Sequence, residues 1–514
     1  MVRTKKALVN IIVALIGQVL GLLVSFIARI YFVKFLGAEY LGLNGLFTNI
    51  ITILSLVELG IGPAIIYSLY KPLAENNIKK VKSLMHLYKK AYRIIGIIIL
   101  IIGLLIIPIV PLIAAEETNV YWLKFVFLLF VINSSISYFY SYKRNLIIAD
   151  QYRYIATIYR YSFFILLNAL QIAILILTQN YIFFLIVMIL CTFLENIFVA
   201  RKADRMYPFL KEHNSQKLDK ESIQEIKKNT SALIFHKVGG IIVNSTDNII
   251  ISMNLGVIWV GLYSNYLLII TALNTMIGQI FTAVTASIGN LVAVESKKKT
   301  LFMFQVIFFS NFWIYGLAVI CLFQLINPFV DFWLGNKMLI SMDVVFFILI
   351  NFYLQGMRKT VLTFREASGL YWNDRYKPLF EVTINLIVSI ILVPIYGISG
   401  VIIGTIVSTL ATCFWIEPYV LYKYGFKSPL KPFFIKYTYY FFVVVVAGVI
   451  THEIASLVSE ESLIAFLYKA IVSILVPNAV FFLFFYRTKE FQYWINLMRS
   501  ILLRTFIKKK PRMF

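Results

Sequence analysis

Apolar runs of about twenty residues recur along almost the whole chain, and no other feature limits the fold as strongly. Inside hydrocarbon the backbone N–H and C=O groups find no water. Each run must therefore satisfy its own hydrogen bonds as an α-helix spanning the bilayer. The short alternating segments of a membrane β-barrel are missing. With 60% hydrophobic and 14% charged residues, no soluble class fits. The expected fold class is an all-α polytopic membrane protein of about 14 transmembrane helices. Spans are expected near 8–36, 46–70, 94–115, 121–142, 161–178, 181–200, 231–253, 259–286, 303–326, 342–357, 378–396, 399–421, 437–456 and 463–486.

Charge orients these spans. The net charge of +24 would point to nucleic acid in a soluble protein. Here 42 of the 48 lysines and arginines fall between spans, in segments that share one side of the membrane. Positive loops stay in the cytoplasm, so both termini are expected inside. The opening MVRTKK leads into a run too long for a signal peptide, and reads as an uncleaved first helix. Connections on the outer side are short turns. The basic loop 71–93 has helical spacing at Ile78, Val81, Met85, Tyr88 and Tyr92, which suggests a helix lying on the membrane surface. Cys191, Cys321 and Cys413 all lie in apolar runs, which argues against a disulfide framework. The four histidines show no metal-ligand spacing.

An internal repeat organises the spans. Leu36–Leu43 reads LGAEYLGL and Leu255–Leu262 reads LGVIWVGL, 219 residues apart and each between two spans. In the first span Gln18, Gly21, Ser25 and Arg29 share one helical face, continued inward by Asn10 and Ala14. At the same offset stand Lys237, Gly240, Asn244 and Asn248, with Asp247 beside the last. Two six-helix lobes are therefore expected: residues 1–200 (spans 1–6) and 231–421 (spans 7–12), joined by a cytoplasmic linker, 201–230. The helix pair 437–486 reads as an appended hairpin (spans 13–14), and 487–514 as a basic amphipathic cytoplasmic tail.

Ionisable groups inside spans are costly and serve as candidate sites. Arg29, Gln18, Ser25, Lys237, Asn244 and Asp247 are candidate substrate-binding residues, and cations in a cavity between repeats suit an anion such as a diphosphate. Snorkelling to the nearer surface is the competing placement for Arg29 and Lys237. Glu58, in VELGIGPA, and Asp247 are candidate coupling or gating residues. A simple kink at Gly60-Ile61-Gly62-Pro63, with Glu58 bonded locally, is the competing reading there. Glu195, Glu381 and Glu417 read as ordinary residues at span ends. No Walker A sequence is present, so ATP coupling within this chain is not expected.

At LGAEYLGL and the following ELGIGPA the sequence resembles the polysaccharide-exporter flippases of the multidrug/oligosaccharidyl-lipid/polysaccharide (MOP) superfamily. The resemblance covers nearly the whole chain. It implies a non-enzymatic transporter of the bacterial cytoplasmic membrane. Such a transporter flips an undecaprenyl-diphosphate-linked oligosaccharide repeat unit by alternating access, for capsule, exopolysaccharide or a similar surface polymer. It further implies a cationic cavity for the headgroup, matching Arg29 and Lys237. Coupling would be to an unidentified cation (Na⁺ or H⁺), with no cofactor and no metal site. Partners would be membrane lipids and the polymerase and glycosyltransferases of the same pathway, with no nucleic acid. Two other classes compete. One is a cation-coupled multidrug antiporter of the same fold. The other is a lipid-linked glycosyltransferase or polymerase, which would need larger outer loops.

Overall fold

The computed structural model describes residues 2–58, 60–114, 123–212, 224, 226, 245–370, 372–458 and 462–508. Every regular element among them is helical. Eleven of these helices are long and apolar enough to cross a membrane, or up to twelve if the pair Leu123–Tyr138 and Ser141–Ala149, bent by 43°, is one span. The first of them is itself broken at Gly37, and the expected seventh span, 231–253, lies largely outside the described residues. Large apolar side chains face outward as well as into the core. Leu23, Ile27, Ile101, Leu105 and Leu177 are exposed, while Asn168, Gln171, Asn196 and Asn311 are buried. Apolar side chains facing outward and polar ones facing inward is what a hydrocarbon solvent selects. The chain is a multi-pass membrane protein.

The chain falls into two compact units, Met1–Asn265 with Ser389–Val401, and Tyr266–Val388 with Ile402–Phe514. In the first unit, α1 (Val2–Leu54) is broken at Gly37, whose φ of 81° and ψ of −173° fit no residue with a Cβ. Below it the chain interrupts itself again, with a 3₁₀ turn at Ser55–Glu58 and a left-handed Gly60, before α2 (Ile61–Ala74). The chain continues through α3 (Ile78–Ile106), α4 (Leu123–Tyr138), α5 (Ser141–Ala149), α6 (Arg153–Thr178) and α7 (Tyr181–Met206). Helices α1 and α6 pack closely because Gly17 and Gly21 lie flat against the Tyr161 ring. The Asn10 amide ties the two helices at their N-terminal ends. It donates to the Gln151 carbonyl (3.1 Å) and accepts from the Tyr154 N–H (2.7 Å).

The loop expected to lie on the membrane is instead the beginning of α3. Its apolar face is buried in the protein: Val81, Met85, Tyr88 and Tyr92 join Ile65, Leu69, Tyr138 and Leu146 in one core. The helical period was right, but protein rather than lipid covers the stripe.

The first unit also takes in a helix over 245–255 (α8), the start of α9 (Val257–Val294) and, from later in the chain, residues 389–401. The second unit is built around α10 (Lys297–Leu334), which packs on α11 (Met342–Ala367) and on the terminal pair α15 (Lys431–Ala455) and α16 (Leu463–Phe485). Between α11 and α15 lie α12 (Lys377–Tyr396), α13 (Ile398–Ser408) and α14 (Phe414–Val420). Phe308 and Phe312 of α10 stack among Phe433, Tyr440, Phe481 and Phe485. The terminal pair is thus part of the core of this unit. The tail helix α17 (Lys489–Lys508) begins docked on α10: Phe491 stacks on Trp313, and the Trp494 indole donates to the Ser310 hydroxyl (2.8 Å).

Candidate functional site at the paired glycine turns

Gly37 and Gly256 occupy the same place in the repeated turn, and both have positive φ, 81° and 92°. Five residues on, Gly42 and Gly261 meet. A Cβ on Gly42 would run into the Val257 carbonyl, and one on Gly261 would run into the Ala38 carbonyl. Ala38 and Val257 are themselves 219 residues apart, so the contact is reciprocal. Each turn presents a glycine to the carbonyl of the other. Backbones approach this closely only where neither residue carries a side chain.

The reciprocity places Arg29. Its Nη1 donates to the Ser264 hydroxyl (2.9 Å) and to the Asn265 side-chain oxygen (3.1 Å), just past the Gly261 turn. The Ser264 hydroxyl in turn donates to the Gly261 carbonyl (2.8 Å). The counterpart of Arg29 is Asn248, which is buried, and the counterpart of Ser264 is Gly45. The Asn248 amide lies 3.9 Å from where a Cβ on Gly45 would stand. The same pairing therefore occurs twice, once as Arg29–Ser264 and once as Asn248–Gly45. Among the described residues Arg29 has no carboxylate partner, and the buried Nδ2 of Asn265 has no acceptor.

The other expected residues are distributed as follows. Gln18 and Ser25 are half-buried on the Arg29 face of α1, and the Ser25 hydroxyl donates back to the Gly21 carbonyl (2.8 Å). Asp247 is half-buried on α8, within electrostatic reach of the Tyr263 hydroxyl. Lys237 and Asn244 lie outside the described residues. Glu58 sits in a separate cluster: Tyr92 donates to its carboxylate (3.0 Å), and Asn145 donates to the Tyr92 oxygen (3.0 Å). Gly62 leaves the room for this, because a Cβ there would stand 3.1 Å from the Tyr92 oxygen and 3.2 Å from the Glu58 carboxylate.

Ser264 and Asn265 were not among the residues expected from sequence. The available signal was their position, two adjacent polar residues one step beyond the repeated turn, after Tyr263. A second group was misplaced. Glu417, expected at a span end, is fully buried on α14. Arg358 grips it in bidentate fashion (Nε 3.1 Å, Nη2 2.8 Å), and Lys377 also donates to it. Glu381 lies 3.7 Å from Arg358 and 3.9 Å from Lys377. π-helical turns at Thr409–Cys413 and Leu421–Phe426 flank the segment that carries Glu417. Such turns often mark functional positions. Glu195 also has a partner, Arg144, at 2.6 Å.

No family model matches the sequence, and no curated protein matches it either. Solved structures do match. The lipid II flippase MurJ in an inward-closed conformation gives a TM-score of 0.67 at 14% identity, covering 93% of this chain and 99% of that one. A multidrug-resistance MATE family transporter of the MOP superfamily, in an inward-facing conformation, gives 0.62 at 15% identity over 80% of this chain and 98% of that one. A point mutant of the Vibrio cholerae MATE transporter VcmN gives 0.54 at 13% identity over 82% and 99%. This chain shares the fold of these solved transporters.

Proposed function

We propose that the protein flips an undecaprenyl-diphosphate-linked oligosaccharide repeat unit across the bacterial cytoplasmic membrane, for assembly of a surface polysaccharide. The observation that carries this reading is Arg29. It is a guanidinium inside a span, held by neutral groups, with no carboxylate among the described residues to neutralise it. An uncompensated arginine beside an unused amide donor, Asn265 Nδ2, suits the oxygens of a diphosphate. The likeness to a lipid II flippase, a protein of the same fold, supports the same class of cargo.

In this reading Arg29 has two states. It ties α1 to the Gly261 turn when no headgroup is bound, and exchanges Ser264 and Asn265 for phosphate oxygens when one is. A neutral latch is readily given up to a doubly charged ligand, and that exchange links binding to opening. Glu58 and Asp247 are the acids we assign to coupling or gating, through Na⁺ or H⁺. The multidrug-antiporter reading shares the fold and draws on the half-buried carboxylate of Glu58.

Reconstituted full-length protein with a fluorescent undecaprenyl-diphosphate oligosaccharide decides between the two readings. Leaflet transfer by the wild type, lost in Arg29→Ala and partly kept in Arg29→Lys, is expected. Full transfer by Arg29→Ala, or transport of cationic dyes instead of the lipid, would overturn the proposal.

A further inference from the structure

A second basic site lies wholly within the first unit, away from the paired turns. On α3 the residues Lys82, His86, Lys89 and Arg93 recur at steps of four, three and four, so they form one face. This face opens on two adjoining cavities of about 380 and 330 Å³, which share Lys89, Tyr142 and Lys143. At the loop end, two acids are already committed. Glu212 binds Lys82, and Asp204 binds Lys143 at 2.7 Å. Lys89 and Arg93 have no carboxylate partner among the described residues, so the groove keeps an excess of two positive charges.

The groove changes character along its length. Lys82 to Arg93 is about 16 Å along the helix. Beyond Lys89 the walls become Ile136, Phe139 and Phe193, and Phe193 is 41% exposed on α7. The groove thus runs from ion-paired, through free cations, to aromatic. A soluble anion would leave the aromatic end unused, and a neutral lipid would leave the cations unmet. An amphiphile with an anionic head satisfies both, and basic pockets between helices on the cytoplasmic side are suited to such heads.

We propose that this groove binds a lipid-borne phosphate, with Lys89 and Arg93 on the phosphate oxygens and the chain of the lipid against Phe139 and Phe193. The site does not depend on what the protein transports. It would hold a lipid even in a multidrug antiporter.

Native mass spectrometry of the delipidated full-length protein tests this. The probes are phosphatidylglycerol, undecaprenyl diphosphate, phosphatidylcholine and inorganic phosphate. The Arg29→Ala protein, which lacks the proposed headgroup seat, should still retain phosphatidylglycerol or undecaprenyl diphosphate, and whichever it retains more strongly identifies the source of the phosphate in the groove. The double variant Lys89→Gln/Arg93→Gln should lose that retention by roughly ten-fold or more, and Lys431→Gln, on the exposed start of α15, should keep it. Because the double variant could misfold, the Arg29→Ala protein is also read against salt, where retention should fall between low and high ionic strength. Equal retention of phosphatidylcholine, displacement by inorganic phosphate alone, or salt-independent retention would each overturn the proposal. So would unchanged retention in a folded double variant.

Discussion

Arg29 and Glu417 represent two ways of keeping a charge inside a membrane protein. Glu417 is neutralised in place by Arg358 and Lys377, with Gln355 holding the Arg358 fork at 2.6 Å. Removing one partner leaves a buried charge uncompensated, which costs about 3–5 kcal/mol. Glu417→Gln should therefore lower the melting temperature in detergent clearly, whereas Arg29→Ala should leave it nearly unchanged and remove transfer. An unchanged melting point for Glu417→Gln would show that the cluster is dispensable for the fold. The sequence made Arg29 visible, since it is a lone charge in an apolar run. It hid Glu417 because its partners sit where a hydropathy reading ends the span: α11 runs to Ala367, ten residues beyond the expected limit of 357.

At the scale of the element, the turns are fixed by backbone rather than side chains. Gly37 adopts a conformation open in practice only to glycine, and Gly37→Ala should cost about 1–3 kcal/mol through that strain alone. Gly42→Ala and Gly261→Ala act differently, because the added methyl meets a carbonyl that cannot move aside. Each should destabilise the protein more than Gly289→Ala, where a Cβ would meet nothing within 4 Å. Thermal melts of the four variants check that order, and equal melting points would refute the reciprocal contact. These turns were legible because a repeated glycine pattern survives in low-complexity sequence. The beginning of α3 was legible only in its period, since a stripe of Val81, Met85 and Tyr88 looks the same whether lipid or protein covers it.

For the whole molecule, the all-helical, many-spanning class followed from the length and recurrence of the apolar runs. Packing partners did not, because helices of similar hydropathy give no sign of which neighbour they meet. The terminal pair shows this. As an appended hairpin it should be removable, but α15 and α16 supply Phe433, Tyr440, Phe481 and Phe485 to the aromatic core around α10. Truncation after residue 430 should give aggregated or degraded protein, read as loss of a single peak in fluorescence size-exclusion chromatography. A sharp, wild-type-like peak would contradict this.

The paired turns are built like a symmetric dimer interface folded into one chain, and this bears on stoichiometry. In a true dimer any side chain at the contact appears twice. Two like turns within one chain are free to differ, and here they do: beside one, Arg29 faces Ser264, and beside the other, Asn248 faces Gly45. Two arginines would offer two equivalent seats. With one arginine and one amide, the proposed headgroup site would have a single seat at this contact. Titration of the purified protein with a polyprenyl diphosphate should saturate at one headgroup per chain at this contact, and Asn248→Arg should disturb that count.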